Sequence, residues 1–188
     1  DYRVQFAGAE EPFAPICADS PATRISIEFK WNDPRARSLF GGAGETLAFC
    51  QSVGAPNLGV TLDFGHAIQA GERPAQSAVM LARAGRLFYV HVNDNDARWD
   101  WDMIPGAYHL WEFVEFFYYL HELGYTDDWY GYDVLAKEHD PVETFGASLA
   151  ITRKLEALAG RLDRATIDSL TAERNPARSL SYLFSLLP

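Results

Sequence analysis

Cysteine is scarce: the 188 residues hold two, Cys17 and Cys50. Neither has a neighbour at metal-ligand spacing, and two thiols do not make a disulfide framework. Thiolate zinc sites and stapled secreted scaffolds are therefore disfavoured, and a reducing cytoplasm is the expected compartment. No apolar run is long enough to span a bilayer, so no membrane association is expected. The most aromatic stretch, 111–123, is broken by Glu112, Glu115 and Glu122. The opening DYRVQFAGAEE lacks the basic-then-apolar order of a secretion signal. It also lacks an initiator methionine, and the chain is read as either processed or a piece of something longer. Positive charge is in deficit, with 16 Lys and Arg against 26 Asp and Glu and a formal net charge of -10. That balance argues against a nucleic-acid partner. The glycine fingerprints of nucleotide binding, Gly-x-Gly-x-x-Gly and the phosphate loop, are missing too. Gly41-Gly42-Ala43-Gly44 is a weak cluster that suits turn geometry better than a phosphate cradle.

What is present is an alternation of strand and helix signals. Residues 24–29 (RISIEF), 58–63 (LGVTLD), 86–92 (RLFYVHV) and 129–133 (WYGYD) read as strands. Between them, 44–53 closed by Gly54, Pro74 to Ala84 closed by Gly85, and 107–123 ending at Gly124 read as helices. The third carries apolar residues at 110, 111, 114, 117 and 118, a broad stripe on one face. A helix from about 142 to 160 follows the last strand, then one or two terminal helices. Residues 1–23, rich in Ala, Pro, Gly and acids, read mostly as loop. Four β-α units in series specify a parallel sheet covered by helices, either an open doubly wound sheet or part of a (β/α)₈ barrel. The strands are apolar without strict alternation, as when both faces are buried.

Each strand ends in a hard-metal donor: Glu28, Asp63, His91 and Asp133. The C-terminal ends of parallel barrel strands converge on one mouth, where barrel active sites form. A lone aspartate usually faces solvent, and a lone histidine beside a strand is usually packing; four in register are a stronger signal. His66 follows Asp63 by three residues, and the WDWD loop adds Asp100 and Asp102. The set is dominated by oxygen, which suits Mn²⁺ or Mg²⁺, with Co²⁺ and catalytic zinc as alternatives. Lys30 shares a strand face with Glu28, where it could stabilise a developing oxyanion or simply form an ion pair. Asn32 and Arg35 are read as bracing that loop. Trp99 and Trp101 flank Asp100 and could roof a pocket over a sugar ring or simply pack the loop. Phe64, with these two tryptophans, is read as an apolar contact for the substrate.

EFKWNDPR at 28–35, LDFGHAIQAGE at 62–72, HVNDN at 91–95, WDWD at 99–102 and YDVLAKEHDP at 132–141 occur in this order. Together they resemble the xylose isomerase-like barrel superfamily, and within it the rhamnose isomerase branch. The resemblance covers roughly residues 24–160. It implies one divalent ion, Mn²⁺ first, on Glu28, Asp63, His91 and Asp133. It implies a second on Asp63, His66, Asp100 and Asp102. Catalysis would fall to Lys30, Asp133 and Glu28, with sugar contacts from Lys30, His66 and Trp99. The implied reaction interconverts an aldose and a ketose, by hydride shift or through an enediol. Ketose 3-epimerases of the same superfamily resemble a one-metal design. Asp133, where they usually have Glu, and the retained His66, Asp100 and Asp102 favour the isomerase.

The resemblance implies a (β/α)₈ TIM barrel of which the C-terminal half is evident: about four β-α units plus terminal helices. A full barrel typically runs to ~250 residues. Residues 1–23 read as loop or as the remnant of a preceding region, 24–160 as the four units, and 161–188 as a helical extension. An N-terminal half lying outside this chain, or further copies in a homo-oligomer, would complete the barrel. A metal-binding half-barrel without turnover is the remaining alternative.

Overall fold

A computed structural model describes residues 1–33, 36–125 and 129–187. The order is α1 (Tyr2–Asp19), β1 (Ile25–Glu28), β2 (Asn32–Asp33), β3 (Ala36–Arg37), α2 (Ala43–Val53), β4 (Leu58–Asp63) and α3 (Phe64–Gln69). There follow α4 (Pro74–Arg83), β5 (Leu87–Val92), α5 (Leu110–Glu122), β6 (Tyr130–Tyr132), α6 (Pro141–Ala159), α7 (Arg164–Glu173) and α8 (Pro176–Ser185). Strands β1, β4, β5 and β6 form one parallel sheet in that order, while β2 and β3 make a small antiparallel hairpin. Each of the four parallel strands is followed by a helix.

Glycine sets three of the helix ends. After α3, α4 and α5 the chain turns through Gly71, Gly85 and Gly124, each at positive φ. The next amide then reaches back to close the helix: Glu72 N to Ala67 O, Arg86 N to Leu81 O and Tyr125 N to Leu120 O, each at 2.9 Å. This is the Schellman closure, which needs a residue that tolerates the left-handed region.

Helices α1, α2, α4, α5 and α6 pack side by side in that order, with α2 and α4 directly on the sheet. Ile27, Phe29, Leu58, Val60, Leu62, Val90 and Val92 point into that layer and meet Phe49, Phe113, Phe116 and Phe117. All six residues of β4 are buried, as befits the central strand. The other face carries Ser26, Glu28, Thr61, Asp63, Tyr89, His91 and Gly131 in matched register. Beyond Thr61 and Asp63 it is left partly exposed.

Two expectations are corrected. Residues 2–19 form α1 rather than loop. Pro12 and Pro15 sit inside it and cannot donate to the carbonyls of Gly8 and Glu11. Both of those residues are exposed, so water can serve the freed oxygens. Cys17 and Phe13 pack against the core, the latter edge-on to Phe49. Phe64 is not a substrate contact: it is fully buried and stacks on Phe113 at 3.6 Å between ring centres. It opens α3, and its ring turns into the helix layer. The terminal helices α7 and α8 contain no buried residues. They attach through Phe184 on Trp111, 5.5 Å between ring centres, and Arg164 on Glu122 at 2.6 Å. Among the described residues, no helix is long and apolar enough to cross a membrane.

Candidate metal centre

Parallel register brings the strand ends to one level. Asp63 pairs with His91 across β4 and β5, and His91 with Gly131 across β5 and β6. Donor atoms of Glu28, Asp63, His91 and Asp133 lie within 4.8 Å of one another. His91 Nδ1 is 3.0 Å from Glu28 Oε1 and 3.7 Å from Asp63 Oδ2. Asp63 is fully buried, while Glu28 and Asp133 face the open side. Three carboxylates and one imidazole on a common point are a hard, oxygen-rich set that fits a divalent cation.

Asp63 has two jobs. Its Oδ1 accepts from His66 N at 2.7 Å and so caps α3, and its Oδ2 accepts from Asn93 Nδ2 at 2.5 Å. A side chain at Gly65 would run into Asn93, so glycine is required where α3 passes the end of β5. That close passage lets Asn95 Nδ2 donate to Gly65 O at 2.8 Å. Gly131 serves likewise beside His91: a Cβ there would lie 2.7 Å from His91 Cδ2.

The remaining expected ligands lie next to this group but are drawn into ion pairs. His66 Nε2 is 3.1 Å from Asp100 Oδ2, and Lys30 Nζ is 2.7 Å from the same oxygen. His66 Nδ1 stands 3.3 Å from Glu28 Oε1 without hydrogen-bond geometry. His66 Nδ1, Asp100 Oδ1 and Asp102 Oδ1 are buried atoms with no hydrogen-bond partner. Unpaired buried polar atoms are costly, and three in one place fit a ligand that would satisfy them. Among the described residues, only the four strand-end groups gather as tightly as an ion requires.

The electrostatics follow from that crowding. Burial pushes the Asp102 carboxyl up to about 7, helped by the charges of Asp100, Asp133 and Asp63. Burial likewise raises Asp63, to about 6. Burial opposes charge on Asp100 also, yet hydrogen bonds from His66 and Lys30 overcome it and bring the group down to about 2. His66 rises to about 9: burial disfavours its cation, but Asp100, Asp63 and Glu28 outweigh that.

Asn32, expected to brace the first loop, sits on β2 opposite Arg37, with a buried Oδ1 that has no partner among the described residues. Arg35 lies outside the described residues. Trp99 is half-buried in a turn begun by Asp96, to whose Oδ1 its N–H donates at 3.1 Å. Trp101 is half-exposed at the edge of a cavity of about 800 Å³. Asp102 and Val134, the neighbour of Asp133, also line that cavity. Sequence reasoning missed Asn93 and Asp94 as working residues. Their signal was present: polar residues directly after an apolar strand, in HVNDN.

Residues 2–155 match the family described as Xylose isomerase-like TIM barrel. The chain belongs to that family. Among characterised relatives, this member of the xylose isomerase-like barrels is 32% identical over 89 residues to the xylose isomerase of Thermus thermophilus. That match covers 46% of the chain and 23% of the relative. It is 32% identical over 110 residues to an uncharacterized protein of Methanocaldococcus jannaschii, MJ1311, covering 57% of the chain and 36% of the relative. The chain thus spans about a third or less of these curated relatives. The crystal structure of the probable 3-DHS dehydratase AsbF, involved in petrobactin synthesis in Bacillus anthracis, superposes with a TM-score of 0.54 at 16% identity. That match covers 77% of this chain and 55% of the other. The likeness is one of fold.

Proposed function

We propose that this chain carries the metal-binding wall of a sugar isomerase that interconverts an aldose and a ketose, with rhamnose-like sugars as the first class to test. The observation that carries the reading is the convergence of Glu28, Asp63, His91 and Asp133 at the strand ends, with Lys30 beside them. The first divalent ion would be held by those four, the second by Asp63, His66, Asp100 and Asp102. Mn²⁺ is the first candidate. Bound ions of this kind supply Lewis-acid stabilisation of negative charge on substrate oxygens.

The chain's own residues account for the rest. Lys30, held cationic by Asp100 against the effect of burial, sits where a carbonyl oxygen gaining charge would be met by its ammonium. Asp102, which burial pushes up to about 7 in the metal-free protein, would give up its proton on binding the second ion. Glu28 and Asp133 bound the open side, where the sugar would enter. The cavity beside Asp102 would receive the part of the sugar away from the reacting carbons, with Trp99 and Trp101 over it. The half-exposed inner sheet face would be covered by further β-α units, either upstream of Asp1 or on another copy.

One observation favours a second reading, a ketose 3-epimerase with one ion: among the described residues only the first four donors gather tightly, and Asp100 is engaged by Lys30. Equilibrium dialysis against Mn²⁺ with metal counting separates the two. Two ions per chain support the isomerase, and one ion supports the epimerase. No binding at saturating Mn²⁺ overturns both. Incubation of the longest reading frame containing this chain with a panel of aldoses and ketoses then tests turnover; binding without turnover would leave a metal-binding barrel wall.

A further inference from the structure

The loop from Asn93 to His109 carries Asp100 and Asp102, yet it has almost no regular structure. One side chain ties its start to its end. Asp94 is wholly buried, and its two oxygens collect four N–H groups. Oδ1 accepts from Asn95 N at 2.8 Å and from His109 Nδ1 at 2.7 Å. Oδ2 accepts from Tyr108 N at 2.7 Å and His109 N at 3.0 Å. The backbone of Asp94 exchanges two further bonds with Met103, at 2.9 and 2.8 Å. The start of the loop is thereby tied to its middle, directly after Asp102, and to its end, at the start of α5. Asp102 O in turn accepts from Leu135 N at 2.9 Å, which links the loop to the segment after Asp133. Asp102 itself is held at positive φ, a conformation an unrestrained aspartate seldom keeps.

We propose that Asp94 is the positioning residue for the second metal position: it fixes the loop so that Asp100 faces His66 and Asp102 lies near Asp100 and Asp63. It touches neither ion nor substrate. The inference rests on the two-ion reading for its functional meaning, and on the four hydrogen bonds for its structural one. A carboxylate is needed because four donors converge on it; an amide in its place would turn an N–H₂ toward two of them.

The test compares the full chain with Asp94→Asn and His109→Ala, using two readouts. Stepwise Mn²⁺ titration should show the first affinity within twofold of wild type in both variants. The second should weaken at least tenfold in Asp94→Asn and by a smaller factor in His109→Ala, which keeps the backbone donors. Limited trypsin digestion of the metal-free protein should show cleavage after the exposed Arg98 accelerated in the same order. Unchanged second affinity together with unchanged Arg98 cleavage would overturn the proposal. Should Asp94→Asn fail to fold, His109→Ala decides by the same two measures. If wild type takes up one ion only, the two-ion reading falls, and the Arg98 cleavage rates alone decide the role of Asp94.

Discussion

Asn93 Nδ2 donates to Asp63 Oδ2 at 2.5 Å, and both side chains are wholly buried. The bond joins the end of β5 to the carboxylate that ends β4, so it orients a candidate donor without being one. Replacing Asn93 with Ala leaves a buried carboxylate oxygen short of a partner. The expected cost is about 1–3 kcal/mol in urea unfolding of the metal-free protein. Affinity for the first Mn²⁺ should fall roughly 10- to 100-fold, as for other groups that orient ligands. An unchanged affinity by titration would show that Asp63 is held by its helix cap alone.

Protons and metal compete for the same groups, with opposite consequences for stability. His66 is raised from 6.5 to about 9, so its contribution is full below pH 6.5 and is lost as pH climbs through 9. Asp63 and Asp102, raised from 3.8 to about 6 and about 7, lose stabilisation as pH rises from 3.8 to those values. Metal-free protein should therefore become less stable from about pH 4 to 9. Asp100, lowered to about 2, adds a loss only on the acid side. Mn²⁺ affinity should climb over the same range as these groups give up protons. Thermal unfolding with chelator and with Mn²⁺, at pH 6 and pH 9, checks both signs.

Gly131→Ala should separate fold from site. The added Cβ would lie 2.7 Å from His91 Cδ2 and 3.0 Å from the Tyr89 hydroxyl, so the imidazole must swing aside. The ring is partly exposed and can move at little cost to the fold. Titration should show first-ion affinity reduced by at least about tenfold, while the melting temperature without metal changes little. An equal loss of both would mean that the glycine serves β6 pairing instead.

Helix α2 starts at Gly42, which has no side chain to cap it. Glu72 does the task from a distance: its Oε1 accepts from Ala43 N at 2.9 Å, and its Oε2 accepts from Ser77 Oγ at 2.8 Å. Glu72→Ala should cost about 1 kcal/mol of unfolding free energy, the usual worth of a cap. Metal affinity should stay the same, which calorimetric titration can verify.

The sequence carried the parallel strands and most helix ends because each rests on a local rule. Apolar runs ending in an acid or histidine placed β1, β4, β5 and β6. Gly54, Gly85 and Gly124 marked three helix ends, and all three sit at positive φ. The helix α1 escaped notice because Pro12 and Pro15 normally interrupt a helix, and nothing local reports that their orphaned carbonyls face water. Phe64 was misjudged because adjacency to Asp63 in sequence is not adjacency in space once a helix begins. The gathering of Glu28, Asp63, His91 and Asp133 was legible from their common place at strand ends. Asp94 was not, since its partners Tyr108 and His109 lie across a loop whose path no periodicity encodes.

The four strand-end donors are dispersed along the chain from residue 28 to residue 133, one to a strand. No local stretch can chelate an ion with the full set, so tight binding demands that the most distant pairing be in place. That pairing is made by β6, three residues long and held to the sheet through β5 alone among the described strands. It is an outer strand with few bonds, the kind that opens first in native-state fluctuations and closes last in folding. An ion bound by Asp133 would select the closed form and not the frayed one, and would stabilise it by mass action. Metal supply would therefore set how long this strand stays docked, and a growing or refolding chain would acquire its full affinity only at the final step.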